Sequence, residues 1–409
     1  MNPSRKIVFK LDKRNVYSLA HVLGAVEKDA PDITHRIEVT RNPDPEPGDV
    51  VVYSFNTFMA PKVFEEIKRL PEDTVKIAGG PHPTAKPDQC LEEGFDIVFV
   101  GEGEKVVPEA LRDLLHRGDT EERPGVYKGE GKPEPAPKVQ KLEEYPPYSE
   151  TFRVFAPVEI TRGCPWGCAF CQVSYMFGRK PRHRPIEDVV KWVRRGVELR
   201  DHTFARFVAP DALAYGSPDG VTIRDDKIER LLKALRSIEG LEKVFFGSFP
   251  AELRPDSIVR SEKGTELIAS LADNERVNIG AQSGSDRILK TIRRGHTVDH
   301  VIEAVERCLE AGLTPVVDFI FGLPGEQPED QEASVRLAEW IMRKGGEVRL
   351  HHFMPLPGTP LEGKEPAPIH PRIRRKLGEW TRKGKAEGSW GHQEHLSRIA
   401  VKLAEGSGY

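Results

Sequence analysis

Residues 156–171, APVEITRGCPWGCAFC, hold the features that decide the fold of this chain. The stretch opens with a short apolar run of the kind that forms a buried strand, and it continues into a tight loop with glycine and proline at its turns. Three of the chain's five cysteines lie in that loop, namely Cys164, Cys168 and Cys171. The stretch therefore predicts a strand that ends at a functional site.

Three thiolates on one loop predict a metal centre. A structural zinc site needs four protein ligands, and the nearest candidate for a fourth is His183, twelve residues after the last cysteine of the loop. An iron–sulfur cluster usually also takes four cysteines, so three leave one iron open to substrate. We predict an open-site cluster; zinc with a distant ligand and a redox or structural role for the cysteines are the alternatives. We interpret Cys90 and Cys308, which lie in predicted helices, as buried small hydrophobes.

Strand-like and helix-like segments alternate from residue 156 to residue 355. Six such units predict three quarters of an eightfold barrel, whose active face lies at the carboxyl ends of the strands. The predicted strands are 156–161, 204–210, 243–249, 276–282, 313–322 and 347–355, and the predicted helices are 186–199, 225–238, 262–272, 285–292, 298–311 and 328–344. We therefore predict a partial (β/α)6 TIM-type barrel over residues 151–361.

A similar alternation at the start of the chain predicts a doubly wound, Rossmann-like α/β domain over residues 1–116. Its predicted strands are 6–10, 35–39, 49–55, 75–80 and 96–103. Residues 117–150 carry Pro, Gly and charge in place of apolar periodicity, which is typical of a linker with one short strand or hairpin near residues 125–128. Residues 362–409 are polar with a helical pattern, and we expect them to cover the barrel's open edge rather than to form a lid or a docking surface.

Ligands of doubly wound sheets bind at the carboxyl ends of the strands. Three loops of mostly small or polar residues follow predicted strands of the first domain, and we expect them to form one cofactor edge. Their residues are Ser54, Phe55, Asn56, Gly79, Gly80, Pro81, His82, Gly101, Glu102, Gly103 and Glu104.

Composition excludes several classes of function. The 409 residues carry 61 Lys and Arg against 64 Asp and Glu, a net charge of −3, so nothing indicates a nucleic-acid partner. Mean hydropathy is −0.48, and no run approaches the roughly 18 apolar residues of a membrane span. Neither the amino-terminal residues nor the five cysteines suggest secretion. We expect a cytoplasmic monomer with no membrane partner.

The C-x3-C-x2-C spacing, with Phe170 just before the last cysteine, resembles the signature of the radical S-adenosylmethionine (SAM) superfamily. The stretches at 210–213, 247–255, 280–297 and 318–326 are similar to that superfamily's SAM-binding elements. The resemblance implies a [4Fe-4S] cluster on the three cysteines and SAM bound beside it. The candidate SAM contacts are Phe170, Asp211, Ser248, Glu252, Arg254, Gln282, Ser283, Phe321 and Gly322.

Several of these contacts have an expected partner on SAM. Arg254 is the candidate for the methionine carboxylate, because guanidinium binds carboxylate through two parallel hydrogen bonds. Asp211 is a candidate for the amine, and Ser248 and Glu252 for ribose or amine groups. Gln282 stands where relatives often have Glu, and its amide can still bond a ribose hydroxyl.

Residues 78–85 and 100–111 resemble the amino-terminal domain of cobalamin-binding radical SAM enzymes. The resemblance implies cobalamin on the three loops; a domain that only docks on the barrel or binds substrate is the alternative. The D-x-H-x-x-G motif that supplies a histidine to cobalt is replaced by Leu19-x-His21-x-x-Gly24. We therefore interpret His21 as a packing residue and expect no cobalt ligand from that motif, as in class B radical methyltransferases.

The resemblance implies methylation of an unactivated sp3 carbon. One SAM methylates cobalamin, and a second, cleaved with an electron from an external donor, gives a 5′-deoxyadenosyl radical. Size and layout are similar to archaeal enzymes that modify methyl-coenzyme M reductase at a glutamine Cα, so we expect a protein or peptide substrate. The alternatives are oxidation or rearrangement, a cluster-bearing sensor or electron carrier, and tRNA methylthiotransfer. The last of these needs a second cluster, and residues 1–150 hold only Cys90.

Overall fold

The computed structural model describes residues 5–200 and 203–405, which divide into two compact units. The first unit ends at Pro157 and the second begins at Val158. In the part of the chain that the structure describes, no helix has the length and apolar character that crossing a membrane demands.

The first unit is built on a six-stranded sheet of order β2-β1-β3-β4-β5-β6, in which β1 to β5 are parallel. Every residue of its central strand β3, VVVYS, is buried, as a parallel strand covered on both faces requires. The strands are β1 Ile7–Lys10, β2 Ile37–Thr40, β3 Val50–Ser54, β4 Val75–Gly79, β5 Ile97–Phe99 and β6 Val126–Tyr127. The helices are α1 Val16–Asp29, α2 Ala60–Ile67, α3 Pro81–Ala85, α4 Pro87–Glu92 and α5 Val107–His116. The predicted doubly wound α/β fold is confirmed.

Residues 117–150, predicted as a linker, pack on the first unit instead. Strand β6 pairs antiparallel with β5, and the amide of Ala136 donates to the carbonyl of Val100 at 2.8 Å. Further along, Val139, Leu142 and Tyr145 form a buried cluster with Ala25 of α1. The apolar residues of 117–150 lie mostly singly between prolines and charged residues. The segment therefore has no hydrophobic periodicity from which a packed structure can be predicted.

The second unit contains nine strands and ten helices among the residues described. Its strands are β7 Val158–Glu159, β8 Thr161–Arg162, β9 Arg182–His183, β10 Phe204–Ala205, β11 Phe207–Val208, β12 Lys243–Val244, β13 Arg276–Gln282, β14 Thr314–Phe321 and β15 Glu347–His352. Its helices are α6 Val173–Phe177, α7 Ile186–Arg200, α8 Asp225–Arg236, α9 Pro255–Arg260, α10 Gly264–Leu271, α11 Asp286–Thr291, α12 Val298–Glu310, α13 Pro328–Lys344, α14 Pro371–Arg382 and α15 Trp390–Glu405.

These strands form the wall of a partial parallel barrel, as predicted. Strand β7 pairs with β11, β10 with β12, and β13, β14 and β15 with one another, all in parallel. Single parallel bridges, Ala209 with Ala251 and Leu253 with Ile279, join the remaining gaps. The second and third predicted barrel strands are regular only in the two-residue strands β10, β11 and β12. The helix predicted at 262–272 is α10, and the short helix α9 before it was not predicted. The Ser261 hydroxyl, between the two helices, accepts the Gly264 amide at 2.7 Å.

The extension after residue 362 covers the open edge of the barrel, as we expected. The amide of Leu350 in β15 donates to the Glu387 carbonyl at 2.9 Å, and the Glu387 amide donates to Val348 at 2.9 Å. A Cβ at Gly388, whose φ is +108°, would lie 2.1 Å from the carbonyl oxygen of Leu350. This close approach brings the extension onto the last strand as an added edge.

Candidate active site

The cysteine loop follows β8 and is closed by α6. The Ser174 hydroxyl donates to the Cys164 carbonyl at 2.8 Å and accepts the Gly167 amide at 3.2 Å. The Cys164 amide donates to Gly178 at 3.1 Å. Gly163 has a φ of +88°, and a Cβ there would lie 2.7 Å from the Lys180 carbonyl oxygen. The loop thus has one compact conformation that fixes its three sulfurs.

All three cysteines of the loop are free. Burial raises the pKa of Cys164, and it raises the pKa of Cys171 to about 11. Thiolates here therefore need a cationic partner. In residues 5–200 and 203–405, no three His, Cys, Asp or Glu side chains are placed to hold a single metal ion. Cysteines of a multi-iron cluster bind different irons and need not converge on one point, so this donor set fits a cluster better than zinc.

His183 is not arranged as a fourth ligand. Its Nδ1 lies 2.9 Å from the Thr161 hydroxyl, and its Nε2 lies 2.7 Å from the Ser217 carbonyl oxygen. Both ring nitrogens are hydrogen-bonded within the protein, and burial lowers the pKa of the imidazole. The zinc alternative therefore loses its candidate ligand.

Arg254, predicted to bind the methionine carboxylate of SAM, lies beside the cysteine loop with most of its donors engaged. Its Nε donates to Asp256 at 3.0 Å and its Nη2 to the Arg294 carbonyl at 2.6 Å, while Nη1 lies 4.0 Å from the Cys168 sulfur. The guanidinium stacks on the Trp166 ring at 4.1 Å. The structure places it against the cluster ligands, a position that its carboxylate-binding role did not predict.

Buried side-chain polar atoms without a hydrogen-bond partner occur in both units, and five of them lie on the cysteine loop or on segments at the strand ends of the second unit. These five are Trp166 Nε1, Asp211 Oδ1, Ser248 Oγ, Arg294 Nε and His296 Nε2. Buried polar groups are normally hydrogen-bonded, so this set fits a polar ligand. Burial raises the pKa of Asp211 to about 6, and burial with the nearby Arg294 and Arg254 lowers that of His296 to about 2.

A cavity of about 300 Å³ opens at the carboxyl halves of β13, β14 and β15. Three predicted SAM contacts line it: Phe170, Glu252 and Gln282. Gln282 has a φ of +75° at a register shift between β13 and β14. The other lining residues are Phe249, Asp318, Ile320, Arg349, His351, His352, Phe353, Met354, Leu356 and Gln393.

A charged network in that cavity was not predicted. Arg349 of β15 donates to Asp318 at 2.5 Å and to Glu252 at 2.7 Å. His351 Nε2 lies 3.4 Å from Asp318, and the Gln393 amide of α15 lies 3.2 Å from His351 Nδ1. Burial and the nearby Asp318 carboxylate raise the pKa of Glu252. The period-two alternation in EVRLHH, with Arg and His between buried Val and Leu, is the signal that points to an inward polar face.

Six predicted SAM contacts do not line the cavity: Asp211, Ser248 and Arg254, described above, and Ser283, Phe321 and Gly322. Ser283 is fully buried, and its hydroxyl meets that of Ser334 in α13 at 3.3 Å. Phe321 is fully buried in the core. The Gly322 amide donates to the Glu326 carboxylate at 2.7 Å, and a Cβ at Gly322 would lie 2.9 Å from His352 Nε2. Ser283, Phe321 and Gly322 therefore make contacts within the protein at the ends of β13 and β14. Burial raises the pKa of Glu326 to about 7.

In the first unit, the loops after β3 and β4 lie at one edge, as predicted. The Ser54 and Ser18 hydroxyls are hydrogen-bonded to each other. The side-chain Oδ1 of Asn56 accepts the amides of Phe58 and Met59, just before α2. The side chains of Phe55 and His82, two residues of the predicted cofactor loops, are both buried, with ring centroids 5.7 Å apart. They pack against Phe64 of α2.

Two glycines of these loops serve internal packing. A Cβ at Gly80 would lie 2.9 Å from the Phe55 amide nitrogen. A Cβ at Gly101 would lie 3.1 Å from the Ala136 nitrogen, so the segment around Ala136 covers the loop after β5. In that loop Glu102 is buried and accepts the Val139 amide at 3.1 Å, and Glu104 is buried as well. The third predicted cofactor loop is therefore closed by the chain itself.

The remaining predicted residues are simply placed. His21 lies within α1, and its Nδ1 is 2.8 Å from the Tyr17 carbonyl oxygen, a contact within the helix that agrees with a packing residue. Cys90 of α4 and Cys308 of α12 are both fully buried, which confirms their interpretation as small hydrophobes.

Comparisons with known proteins connect this geometry to a family. The Radical SAM superfamily model matches residues 158–338. The hopanoid C-3 methylase of Methylococcus capsulatus is 27% identical over 330 residues, which are 76% of this chain and 59% of the methylase. A tRNA-2-methylthio-N(6)-dimethylallyladenosine synthase of an Acidovorax species is 27% identical over 88% of this chain and 76% of its own length. The chain spans about three fifths of the first curated relatives, 63% of an uncharacterized Methanopyrus kandleri protein and 59% of the methylase.

Two solved structures share the fold across most of the chain. The radical SAM methyltransferase TsrM of Kitasatospora setae, with cobalamin and a [4Fe-4S] cluster bound, has a TM-score of 0.63 at 16% identity and covers 87% of this chain and 74% of its own. The cobalamin-dependent radical SAM enzyme OxsB, with aqua-cobalamin bound, has a TM-score of 0.61 at 18% identity and covers 93% of this chain and 55% of its own. The three-cysteine loop, the partial barrel and the family match together show a radical SAM domain in residues 158–338 of this chain.

Proposed function

We propose that this enzyme is a cobalamin-dependent radical SAM methyltransferase that methylates an unactivated sp3 carbon. The observation that carries the proposal is the cysteine loop, with its cationic and unpartnered polar surroundings, at the mouth of a partial barrel. The chain's fold is also shared with two enzymes solved with cobalamin, one of which carries a [4Fe-4S] cluster.

The second unit offers the residues for the cluster and SAM. Cys164, Cys168 and Cys171 would hold a [4Fe-4S] cluster, which supplies an open iron to chelate SAM and the electron that cleaves it. Phe170 and Gln282 line the cavity with one apolar and one amide group suited to a nucleoside. The apolar side chains of the lining, such as Phe170 and Ile320, would limit the water around the reacting centre and so protect a radical from side reactions.

The first unit offers the loops after β3 and β4 for cobalamin, which supplies a carrier for the methyl group when bound. Gly79 is buried at the end of β4, and a Cβ there would be in ordinary van der Waals contact with Phe99 at 3.7 Å. The loop after β5 contributes its outer side at most, because residues near Ala136 cover it. The D-x-H-x-x-G motif is replaced by Leu19-x-His21-x-x-Gly24, so cobalt would have no histidine from that motif.

The proposed substrate is a protein or peptide in the cytoplasm, with the glutamine Cα of methyl-coenzyme M reductase as the specific candidate. This choice is supported by the similarity in size and layout to archaeal enzymes of that kind. A hopanoid methylase among the relatives supports C-methylation in general terms. An external electron donor completes the proposed system.

Two other functions are weighed against particular observations. The alternative of tRNA methylthiotransfer needs a second cluster, as the sequence resemblance implies. Among the described residues of the first unit the one cysteine is Cys90, which is fully buried in α4, so the ligands for such a cluster are lacking there. Oxidation or rearrangement is the stronger rival, because OxsB, which shares the fold, is a cobalamin-dependent radical SAM enzyme that is not described as a methyltransferase.

Anaerobic incubation of the enzyme with a candidate peptide and methyl-labelled SAM tests the proposal. We expect label on carbon in the product, with equal yields of 5′-deoxyadenosine and S-adenosylhomocysteine. An unlabelled product, or 5′-deoxyadenosine formed without S-adenosylhomocysteine during turnover, would favour oxidation or rearrangement. Absence of SAM cleavage by the reduced protein would favour a sensor or electron carrier.

A further inference from the structure

Two guanidinium groups meet one sulfur of the cysteine loop. Arg294 Nη1 lies 3.6 Å from the Cys168 sulfur, and Arg254 Nη1 lies 4.0 Å from it. The two arginines come from different elements, since Arg254 begins α9 and Arg294 follows α11. Cys168 itself is buried, so these cations lie on the protein side of the sulfur rather than in solvent.

Neighbouring groups hold both arginines in place. Arg254 is only 2% exposed and lies on the Trp166 ring while bonding to the Arg294 carbonyl. Arg294 donates through Nη2 to the Gly280 carbonyl at 2.7 Å, at the end of β13. The loop is fixed to the same region, because the Ala169 amide donates to the Ile292 carbonyl at 2.9 Å. The sulfur contacts are therefore a built feature of the fold.

The two cations differ in how far carboxylates neutralise them. Arg254 pairs with Asp256, which also pairs with Arg260 at 2.6 Å. Within residues 5–200 and 203–405, Arg294 has no carboxylate partner within ion-pair distance, and its contacts are a carbonyl and the sulfur. Its positive charge acts on Cys168 with no ion-paired carboxylate among the described residues, and Asp256 interacts with it only through space.

Charge near a cluster ligand changes the cluster's reduction potential. Three thiolates and a 2+ cluster core carry a net charge of −1, and one electron from a low-potential donor gives a 1+ core and a net charge of −2. A fixed positive charge stabilises the second state more than the first, and hydrogen bonds to the sulfurs act in the same direction.

We propose that Arg254 and Arg294 raise the reduction potential of the cluster by acting on the sulfur of Cys168, with Arg294 as the dominant contributor. The pair are positioning residues, since they act on the cluster through its ligand. This inference rests on the proposed function only in requiring a [4Fe-4S] cluster on the loop. It assigns the arginines to electron acceptance, a step that precedes any chemistry on the substrate.

The test is a redox titration of anaerobically reconstituted protein with viologen mediators, followed by the electron paramagnetic resonance signal of the reduced cluster. Arg294→Gln should lower the midpoint potential by about 59 mV, a tenfold change for a one-electron couple. Asp256→Asn should shift the potential upward, because it removes the anion paired with Arg254. Arg294→Lys should recover most of the loss. Arg293→Gln removes a charge from the adjacent, exposed residue and should leave the potential unchanged.

Opposite shifts for Arg294→Gln and Asp256→Asn distinguish an electrostatic role from a structural one. Equal potentials in wild-type protein and Arg294→Gln, with four irons bound in each, would overturn the inference. Failure of both variants to hold iron while Arg293→Gln loads normally would also overturn it, in favour of a purely structural pair. The expected shifts in potential, together with SAM cleavage but no methyl transfer by the wild-type protein, would instead remove the proposed function and leave this inference standing.

Discussion

The carboxyl edges of the two parallel sheets differ in how completely the protein satisfies its own polar groups. At the first edge, the Ser54 hydroxyl is hydrogen-bonded to Ser18, and the Asn56 side chain accepts an amide just before α2. The segment around Ala136 covers the loop after β5. At the second edge, Asp211 and Ser248 keep buried oxygens without partners. The same topological rule predicts a ligand at both edges, and the second keeps a buried carboxylate oxygen and a buried hydroxyl ready for one. Preorganised, unsatisfied groups therefore locate the chemistry more sharply than topology does.

The largest effect should come from the cysteine loop. Replacing Cys164, Cys168 or Cys171 singly by Ala should abolish iron–sulfur assembly and SAM cleavage, because each cysteine supplies one of only three protein ligands. Iron content and 5′-deoxyadenosine yield measure the result. Cys308→Ala, which changes a buried thiol far along the chain, is the matched control and should retain the cluster. Stoichiometric zinc without iron uptake in the wild-type protein would contradict the assignment.

The charged network of the barrel should matter more for stability than exposed pairs of the first unit. Arg349→Leu leaves Asp318 and Glu252 without their cation and should lower the free energy of unfolding by about 3 kcal/mol. Arg112→Leu, which breaks an ion pair with Asp32 whose side chain is 48% exposed, should cost no more than about 1 kcal/mol. Urea denaturation of both variants measures the difference. Equal losses would remove the distinction between the two regions.

The unsatisfied oxygen of Asp211 should make the second edge pH-sensitive. Burial raises the pKa of Asp211 in the folded protein to about 6, from an ordinary value of 3.8. As pH falls, the folded protein therefore binds this proton before the unfolded chain does. Stability consequently declines as pH rises from about 4 to 6. Relative to Asp211→Asn, cluster-free wild-type protein should lose on the order of 2 kcal/mol over that range. The exposed Asp226, whose pKa its hydrogen bond to Arg224 lowers, provides an Asp→Asn control with the opposite slope. A gap independent of pH would show that Asp211 has a partner in solution.

The smallest effect concerns two adjacent glycines at the first edge. Gly80→Ala should destabilise the protein by about 1–2 kcal/mol, because Gly80 has a φ of +97° and its Cβ would press on Phe55. Gly79→Ala should keep nearly wild-type stability, since its nearest neighbour would be 3.7 Å away. Thermal denaturation compares the two. Cobalamin binding by Gly79→Ala then tests the loop itself; matching stability losses would mean that both positions are internal.

Sequence periodicity predicts regular elements well and contacts between distant residues poorly. Helix α13 begins and ends as predicted at 328–344, because Pro328 starts it and Gly345, with a φ of +102°, stops it. The barrel strands at 204–208 and 243–244 are shorter and less regular than predicted, and isolated bridges between single residue pairs complete this part of the barrel wall. In the site, local spacing reveals the three cysteines. The contact of Arg294 with Cys168 spans 126 residues, and no spacing rule reports it.

The pairing of residues 386–388 with β15 has a consequence for how the protein is made. The barrel's last strand is synthesised well before the segment that covers it, so its outer backbone groups stay unpaired until the chain has grown by some 35 residues more. An uncovered strand edge is a template for association between molecules. A chain truncated before residue 386 should therefore aggregate through β15, even though every residue of the cysteine loop is intact.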